Sequence, residues 1–156
     1  MSDHELLVYV DGSCYPNPGP GGYGIRMEYR GKVKEHHGGR HNTTNNQMEL
    51  QAVISATRLI KWKLADKLDF KVVFLSDSAY VVKGISEFCA GWKRRGWKKS
   101  DGGEPSNLEM WKEVYDLLII QHRGKYKMKK VKGHSGLPGN ERADELANMG
   151  RASVTS

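Results

Sequence analysis

The sequence predicts an α/β fold: one five-stranded mixed sheet, three antiparallel strands followed by parallel ones, flanked by helices. Three observations lead there. The N-terminal quarter alternates apolar and polar residues with the period of strands, broken by Gly- and Pro-rich turns. At Thr43-Thr44-Asn45-Asn46 the period lengthens to that of a helix. From there, short apolar runs alternate with helical stripes, the order expected of βα units feeding parallel strands.

Taken in order, Leu6 to Val10 is apolar on both faces, as a central strand is. It ends at Asp11, where the turn residues of "GSCYPNPGPGG" begin. Tyr23, Ile25, Met27 and Tyr29 alternate with Gly24, Arg26 and Glu28 as a half-buried strand. Arg30-Gly31-Lys32 closes it onto a third strand near Val33 to His41. Ala52, Val53, Ala56 and Ile60 share one face of a helix reaching about Leu64. "KVVFLSD" is a buried strand ending at Asp77, and the helix after it carries Val81, Ile85, Phe88 and Trp92 as its stripe. The basic loop "WKRRGWKKSDGGEP" follows. A capping box from Ser106 to Glu109 starts a helix with Leu108, Trp111, Tyr115 and Leu118 inward. "KYKMKKVK" is the fifth strand and "ERADELANMG" the last helix. Residues 1–150 form a single domain without repeat or linker, and 151–156 a polar, frayed tail.

A chain of 156 residues, 38% hydrophobic and 28% charged, suits one sizeable core and is too apolar for a disordered polymer. Its formal charge of +7 favours a polyanionic partner, nucleic acid or an acidic membrane surface. No apolar run approaches the ~18 residues of a membrane span. No long basic amphipathic helix suits a membrane surface, so the membrane reading is set aside. "MSDHELL" lacks the basic and apolar regions of a secretory leader, and two cysteines are too few for a disulfide framework. The expected location is the cytoplasm and the expected state a monomer.

Four carboxylates stand at element ends or beside core stripes. Asp11 closes an apolar strand, where Asp-Gly also reads as turn punctuation. Asp77 stands where a strand hands over to a helix, a place where ligands gather in α/β sheets, although Asp77 or Ser78 could equally cap that helix. Glu49 heads the buried stripe of its helix, with an Asn46-to-Glu49 capping box as the competing reading. Asp144 flanks the stripe of Ala143, Leu146, Ala147 and Gly150, where a solvated charge is the ordinary expectation. Gathered in one place, four carboxylates repel unless a cation sits among them. Paired Mg²⁺ ions held about 4 Å apart suit in-line displacement at phosphate.

"VDGSCYPNPGPGGYG", "TTNNQMEL", "LSDSAYV", "WKRRGWK", "KVKGHSG" and "NERADELA", in that order over about residues 6 to 150, resemble ribonuclease H of the type 1, bacterial-like class. The resemblance implies a ribonuclease H-like fold and endonucleolytic hydrolysis of the RNA strand of RNA–DNA hybrids, leaving 3′-hydroxyl and 5′-phosphate ends. It implies Asp11, Glu49, Asp77 and Asp144 as ligands of two Mg²⁺ ions, with Mn²⁺ as an alternative. Asp11 would bridge the ions, Asp144 would serve the one that activates water, and Glu49 and Asp77 the one near the leaving 3′-oxygen. His134, an ordinary loop histidine otherwise, matches the family's mobile histidine, which assists proton transfer or product release.

Telling RNA from DNA means reading the 2′-hydroxyl across a wide minor groove. The resemblance assigns that contact to the backbone around Gly12 and Ser13 and to Asn17, Asn45, Asn46 and Gln47, with Thr44 as a candidate phosphate contact. Trp92, Lys93, Arg94, Arg95, Trp97, Lys98 and Lys99 match the family's basic protrusion, which grips the DNA strand through salt-sensitive contacts. The lysines of 125–132 read as edge-strand protection. Ala79 departs from relatives that carry a longer polar residue there, so that RNA contact is missing. A non-catalytic binding module would need the protrusion and groove loops but not four carboxylates, which oppose phosphate unless metals intervene. A resolvase or transposase on the same fold would lack the groove and protrusion motifs.

Overall fold

The computed structural model describes residues 4–155. Its strands are β1 (Glu5–Cys14), β2 (Gly19–Tyr29), β3 (Lys32–Thr43), β4 (Lys71–Ser76) and β5 (Tyr126–Lys130). Its α-helices are α1 (Asn45–Leu59), α2 (Trp62–Leu68), α3 (Ala79–Lys83), α4 (Cys89–Arg94), α5 (Leu108–Val114) and α6 (Pro138–Ala152). The strands form one sheet in the order β3-β2-β1-β4-β5. The β1–β2 and β2–β3 pairs are antiparallel, and β4 runs parallel to both β1 and β5. This is the mixed sheet that the sequence predicts. Among the described residues, no helix is long and apolar enough to cross a membrane.

β1 continues past the apolar run. Asp11 lies inside the strand opposite Gly24, and Gly12 and Ser13 pair with Tyr23 and Gly22. Cross-strand pairing overrides the turn preference of Asp-Gly here, and it carries a carboxylate into the sheet. Successive side chains alternate between the two faces, so Tyr9 and Asp11 share one face and Gly12 lies on the other.

Around Gly22 and Gly24, β2 is covered on both faces, while Arg26 and Glu28 stay partly exposed as its alternation suggests. A Cβ at Gly24 would stand 2.3 Å from the Ala143 carbonyl oxygen and 2.6 Å from the Ala147 nitrogen. One at Gly22 would stand 2.2 Å from the Arg151 nitrogen. α6 therefore lies directly on the β2 backbone, with Ala143, Leu146, Ala147 and Gly150 buried beneath it. α1 packs on the opposite face, where a Cβ at Gly12 would come within 2.5 Å of the Glu49 nitrogen. The sheet is thus sandwiched, and the core of Val8, Val10, Ile25, Leu50, Val53, Ile54 and Phe74 lies on the α1 side with Trp111 and Leu118.

Three local expectations differ from the structure. The helix expected to reach about Leu64 stops at Leu59, because Ile60 turns extended and Trp62 swings back to donate from Nε1 to the Thr57 carbonyl at 2.9 Å. Both apolar side chains are buried by that break. The stripe of Val81, Ile85, Phe88 and Trp92 is dephased by a π-turn over Gly84–Phe88, which buries Cys89 and leaves Phe88 47% exposed. Gly84 is seated against the Trp111 ring, where a Cβ would come 2.0 Å from Cη2. No capping box forms at Ser106: α5 begins after Asn107, which is left-handed at φ 59° and caps with no side-chain bond. α6 continues through Ala152 and Ser153–Thr155 form a turn; Ser156, part of the expected tail, lies outside the described residues.

Gly24→Ala should lower stability by about 1–3 kcal/mol, since overpacking must part α6 from β2. A chemical denaturation series measures it, and an unchanged midpoint would mean that α6 is not seated on the strand.

Candidate active site

The four carboxylates arrive from four elements. Asp11 is 4% exposed within β1, and Glu49 is 7% exposed in the first turns of α1. Asp77 follows the last residue of β4, and Asp144 lies within α6. Tyr9 pairs with Leu75 across β1 and β4, so strand alternation puts Asp11 and Asp77 on the face that α6 covers.

Local capping frees these side chains. Thr44 caps α1, its hydroxyl accepting from the Gln47 N–H at 3.1 Å, so Glu49 is not held in a capping box. Ser78, not Asp77, caps α3 by accepting from the Val81 N–H at 3.2 Å. Both alternatives left open by the sequence are thereby settled, and Asp77 keeps its carboxylate for the cleft.

Oxygens of Asp11, Glu49 and Asp77 lie within 4.8 Å of one another. The Gly12 N–H donates to both Asp11 Oδ1 at 2.9 Å and Glu49 Oε1 at 2.7 Å. Glu49 Oε2 is buried without a hydrogen-bond partner. Burial pushes Asp11 up to about 7, against the opposing hydrogen bond from Glu49, with the charges of Asp77 and Asp144 raising it further. Burial first, and then the adjacent Asp11 charge, holds the Glu49 carboxyl well above the usual carboxylate range. Two carboxyls this close and this buried resist ionising together unless positive charge comes between them. A buried carboxylate oxygen lacking any donor, beside two more carboxylates, is the donor set that a hard divalent ion takes.

Asp144 stands outside this tight trio but lines the same cleft of about 350 Å³. Its walls also include Gly12, Ser13, Asn45, Asn46 and His134. His134 is exposed at the rim, left-handed at φ 56° in the loop before α6. Asn17 does not line the cleft; its Oδ1 accepts from the Asn45 N–H at 3.2 Å and holds that loop. The Gly12 N–H is spent on the carboxylates, and the Gln47 amide is engaged at both ends. It accepts from Thr43 Oγ1 at 2.9 Å and donates to Asn107 Oδ1 at 3.2 Å.

The basic protrusion is not among the cleft walls. Trp92 stacks on Phe88 and meets Trp111 edge-on, and Trp97 stands edge-on to Tyr115. These rings root the segment, while Lys93, Arg94, Arg95, Lys98 and Lys99 are exposed. Sequence reading passed over Asn107, which donates from Nδ2 to the Tyr80 hydroxyl at 3.0 Å and fixes Gln47 from the other side. An asparagine just before an apolar helical stripe was its available signal, since Asn tolerates the left-handed region.

A mixed sheet of this order, with an acidic cleft at the ends of β1 and β4, points to a class: α/β proteins whose clustered carboxylates are compatible with a divalent cation. The comparisons narrow the class. The model of the family described as "RNase H" matches residues 3–152. Ribonuclease H of Cupriavidus pinatubonensis (strain JMP 134 / LMG 1197) is 47% identical over 152 residues, covering 97% of this chain and 99% of that protein. Ribonuclease H of Pseudomonas putida (strain W619) is 45% identical over 150 residues, covering 96% and 95%. Among solved structures, LC9-RNase H1, a type 1 RNase H with the type 2 active-site motif, is 32% identical with TM-score 0.81, covering 99% of this chain and 75% of that one. LC11-RNase H1 in complex with RNA/DNA hybrid is 25% identical with TM-score 0.72, covering 97% and 99%. The chain belongs to the ribonuclease H family, and with membership comes the family's activity, endonucleolytic hydrolysis of RNA paired to DNA.

The raised carboxyls fix a pH dependence. Metal-free, the folded state holds protons that unfolded carboxyls release near pH 4, so this stability is complete below that pH and lost as pH rises through about 7. Asp11→Asn should therefore stabilise the metal-free protein at pH 8 by roughly 2 kcal/mol and much less at pH 5. Thermal melts of both proteins in chelator at the two pH values measure this; equal shifts at both would contradict a raised Asp11 carboxyl.

Proposed function

We propose that Asp11, Glu49, Asp77 and Asp144 bind Mg²⁺ and that this site cuts the RNA strand of an RNA–DNA hybrid, leaving 3′-hydroxyl and 5′-phosphate ends. The observation that carries it is the Asp11–Glu49–Asp77 cluster with the donorless Glu49 Oε2, at the floor of a cleft open to a duplex. Mg²⁺ held by these carboxylates would supply positive charge to the attacking water and to the departing 3′-oxygen. The chain's part is to hold its carboxylates in place beforehand. Gly12 fixes Asp11 and Glu49 through one N–H, so little reorganisation accompanies metal entry.

Orientation of the hybrid falls to the rim. Ser13, Asn45 and Asn46 present short polar groups at the cleft, the kind that reads 2′-hydroxyls across a minor groove. Asn17, Thr44 and Gln47 act by shaping that loop. The cations of 93–99 take the DNA strand. The His134 imidazole, exposed at the rim, carries a proton to or from the reacting phosphate. We further place the protein in the cytoplasm as a monomer; its two cysteines are free and buried, which suits a reducing compartment.

Hybrid carrying labelled RNA should be cut in the RNA strand only, and only with Mg²⁺ or Mn²⁺. Asp11→Asn should lower the rate by about 10³-fold or more, a loss of several kcal/mol of transition-state stabilisation. His134→Ala should cost less, roughly 10- to 100-fold. Tight hybrid binding without cleavage under either metal would leave a binding module instead.

A further inference from the structure

Lys127, Lys129, Lys130 and Lys132 form a strongly charged surface that chemistry in the cleft leaves without a task. All four are exposed, and none of them forms an ion pair or a side-chain hydrogen bond within the described residues. Lys125, by contrast, is bound to Asp66 at 2.8 Å. β5 is an edge strand, parallel to β4, with Lys127 opposite Val73, Lys129 opposite Leu75 and Lys130 opposite Ser76. The lysine track therefore climbs the sheet edge toward Asp77 and ends at Gly133, next to His134. A Cβ at Gly133 would lie 3.0 Å from Asp77 Oδ2, which shows how close the track's end comes to the cleft.

Lys127 and Lys129 alternate onto the same face, roughly 6.6 Å apart along the strand. Unscreened by any acid, they repel, and that arrangement lowers stability unless something anionic arrives. Edge protection accounts for a charge or two on a strand of five residues. It does not account for cations on both faces that continue past the strand's end. Tyr126 and Met128 tie the strand to the core, so the charges sit on a rigid edge rather than on a loop.

We propose that Lys127, Lys129, Lys130 and Lys132 are a second contact for the phosphodiester backbone, engaging the part of the hybrid that lies outside the cleft. This rests on the hybrid reading above and adds to it a footprint longer than the cleft and protrusion define. Phosphate contacts of this kind add affinity and position without reading sequence. They also steepen the dependence of binding on salt by about 0.9 logarithmic units per phosphate neutralised.

The test compares K127Q/K129Q/K130Q with its parent, both in the Asp11→Asn background so that substrate survives. Binding is followed by fluorescence anisotropy against salt, using a hybrid of about one helical turn and another of about two and a half turns. The long hybrid should bind the variant about 10-fold more weakly at low salt, with a log–log slope shallower by about 2–3 units. Binding of the short hybrid, which reaches only the end of the track nearest Asp77, should be weakened less than that of the long one. Unchanged affinity and slope for the long hybrid would overturn the proposal, and so would equal weakening of both lengths, which would put the lysines inside the cleft's own footprint. A protein with Asp11 and all four lysines intact that neither binds nor cuts hybrid would sink the functional reading instead, so the two failures are distinguishable. A melting midpoint for the variant at or above the parent's shows that the fold is kept.

Discussion

The interaction on which the rest of this structure depends is the pair of buried carboxyls, Asp11 and Glu49, held by one backbone N–H. A strand that is apolar on both sides ends its buried stretch with a carboxylate, and a helix on the other face of the sheet delivers a second one to it. Only a residue without a side chain allows that approach: at Gly12 a Cβ would strike the α1 backbone at Met48 and Glu49. The same residue supplies the N–H that both carboxylates accept. Neither charge is tolerable alone in such surroundings, and the two together are worse. The fold therefore contains a place where positive charge is favoured, and the Asp11–Glu49–Asp77 cluster is compatible with a divalent ion there.

The glycines of β2 solve a related problem for the fourth carboxylate. Asp144 belongs to a helix whose face toward β2 is built from Ala143, Leu146, Ala147 and Gly150, and Gly22 and Gly24 let that helix rest on strand backbone. Glu35 adds a clamp at the near end, accepting from Arg142 at 2.9 and 3.1 Å and from Arg26 at 2.8 Å. These groups remain partly exposed, so the ion pairs add modestly to a geometry that packing already sets. Asp144 is thereby fixed to the sheet that bears Asp11 and Asp77, yet set back from the trio. A scaffold with one carboxylate held apart leaves the cleft open between Asp144 and the trio.

Much of this was legible in the sequence because both periods are strong. The strand order class, the buried stripe headed by Glu49 and the small-residue face of α6 all follow from spacing. What spacing could not reveal was convergence, since that depends on which face each strand residue takes and on where helices begin. Thr44 and Ser78, rather than Asn46 and Asp77, cap their helices, and each choice releases a carboxylate that a capping reading would have consumed. The breaks at Ile60 and Gly84 were hidden for another reason. They are driven by tertiary contacts, a Trp62 ring nitrogen finding a carbonyl and a Trp111 ring filling the space of an absent side chain, and neither leaves a turn signature in the chain.

The distribution of charge resolves an apparent conflict between the cleft and the composition. A chain of net charge +7 places acidic groups where its polyanionic substrate must react. Those carboxylates repel phosphate at short range, and with few counter-charges nearby the protein cannot offset them from within the cleft. Its cations lie elsewhere, on a protrusion rooted by Trp92 and Trp97 and along the β5 edge. On the proposed reading, attraction acts over the long reach of the backbone, while the reacting phosphate would meet an acidic cleft that accepts it only with a cation among Asp11, Glu49 and Asp77. Binding and reaction are governed by opposite charges in separate places, and salt weakens the first far more than the second, because the exposed lysines are screened and the buried carboxyls are not.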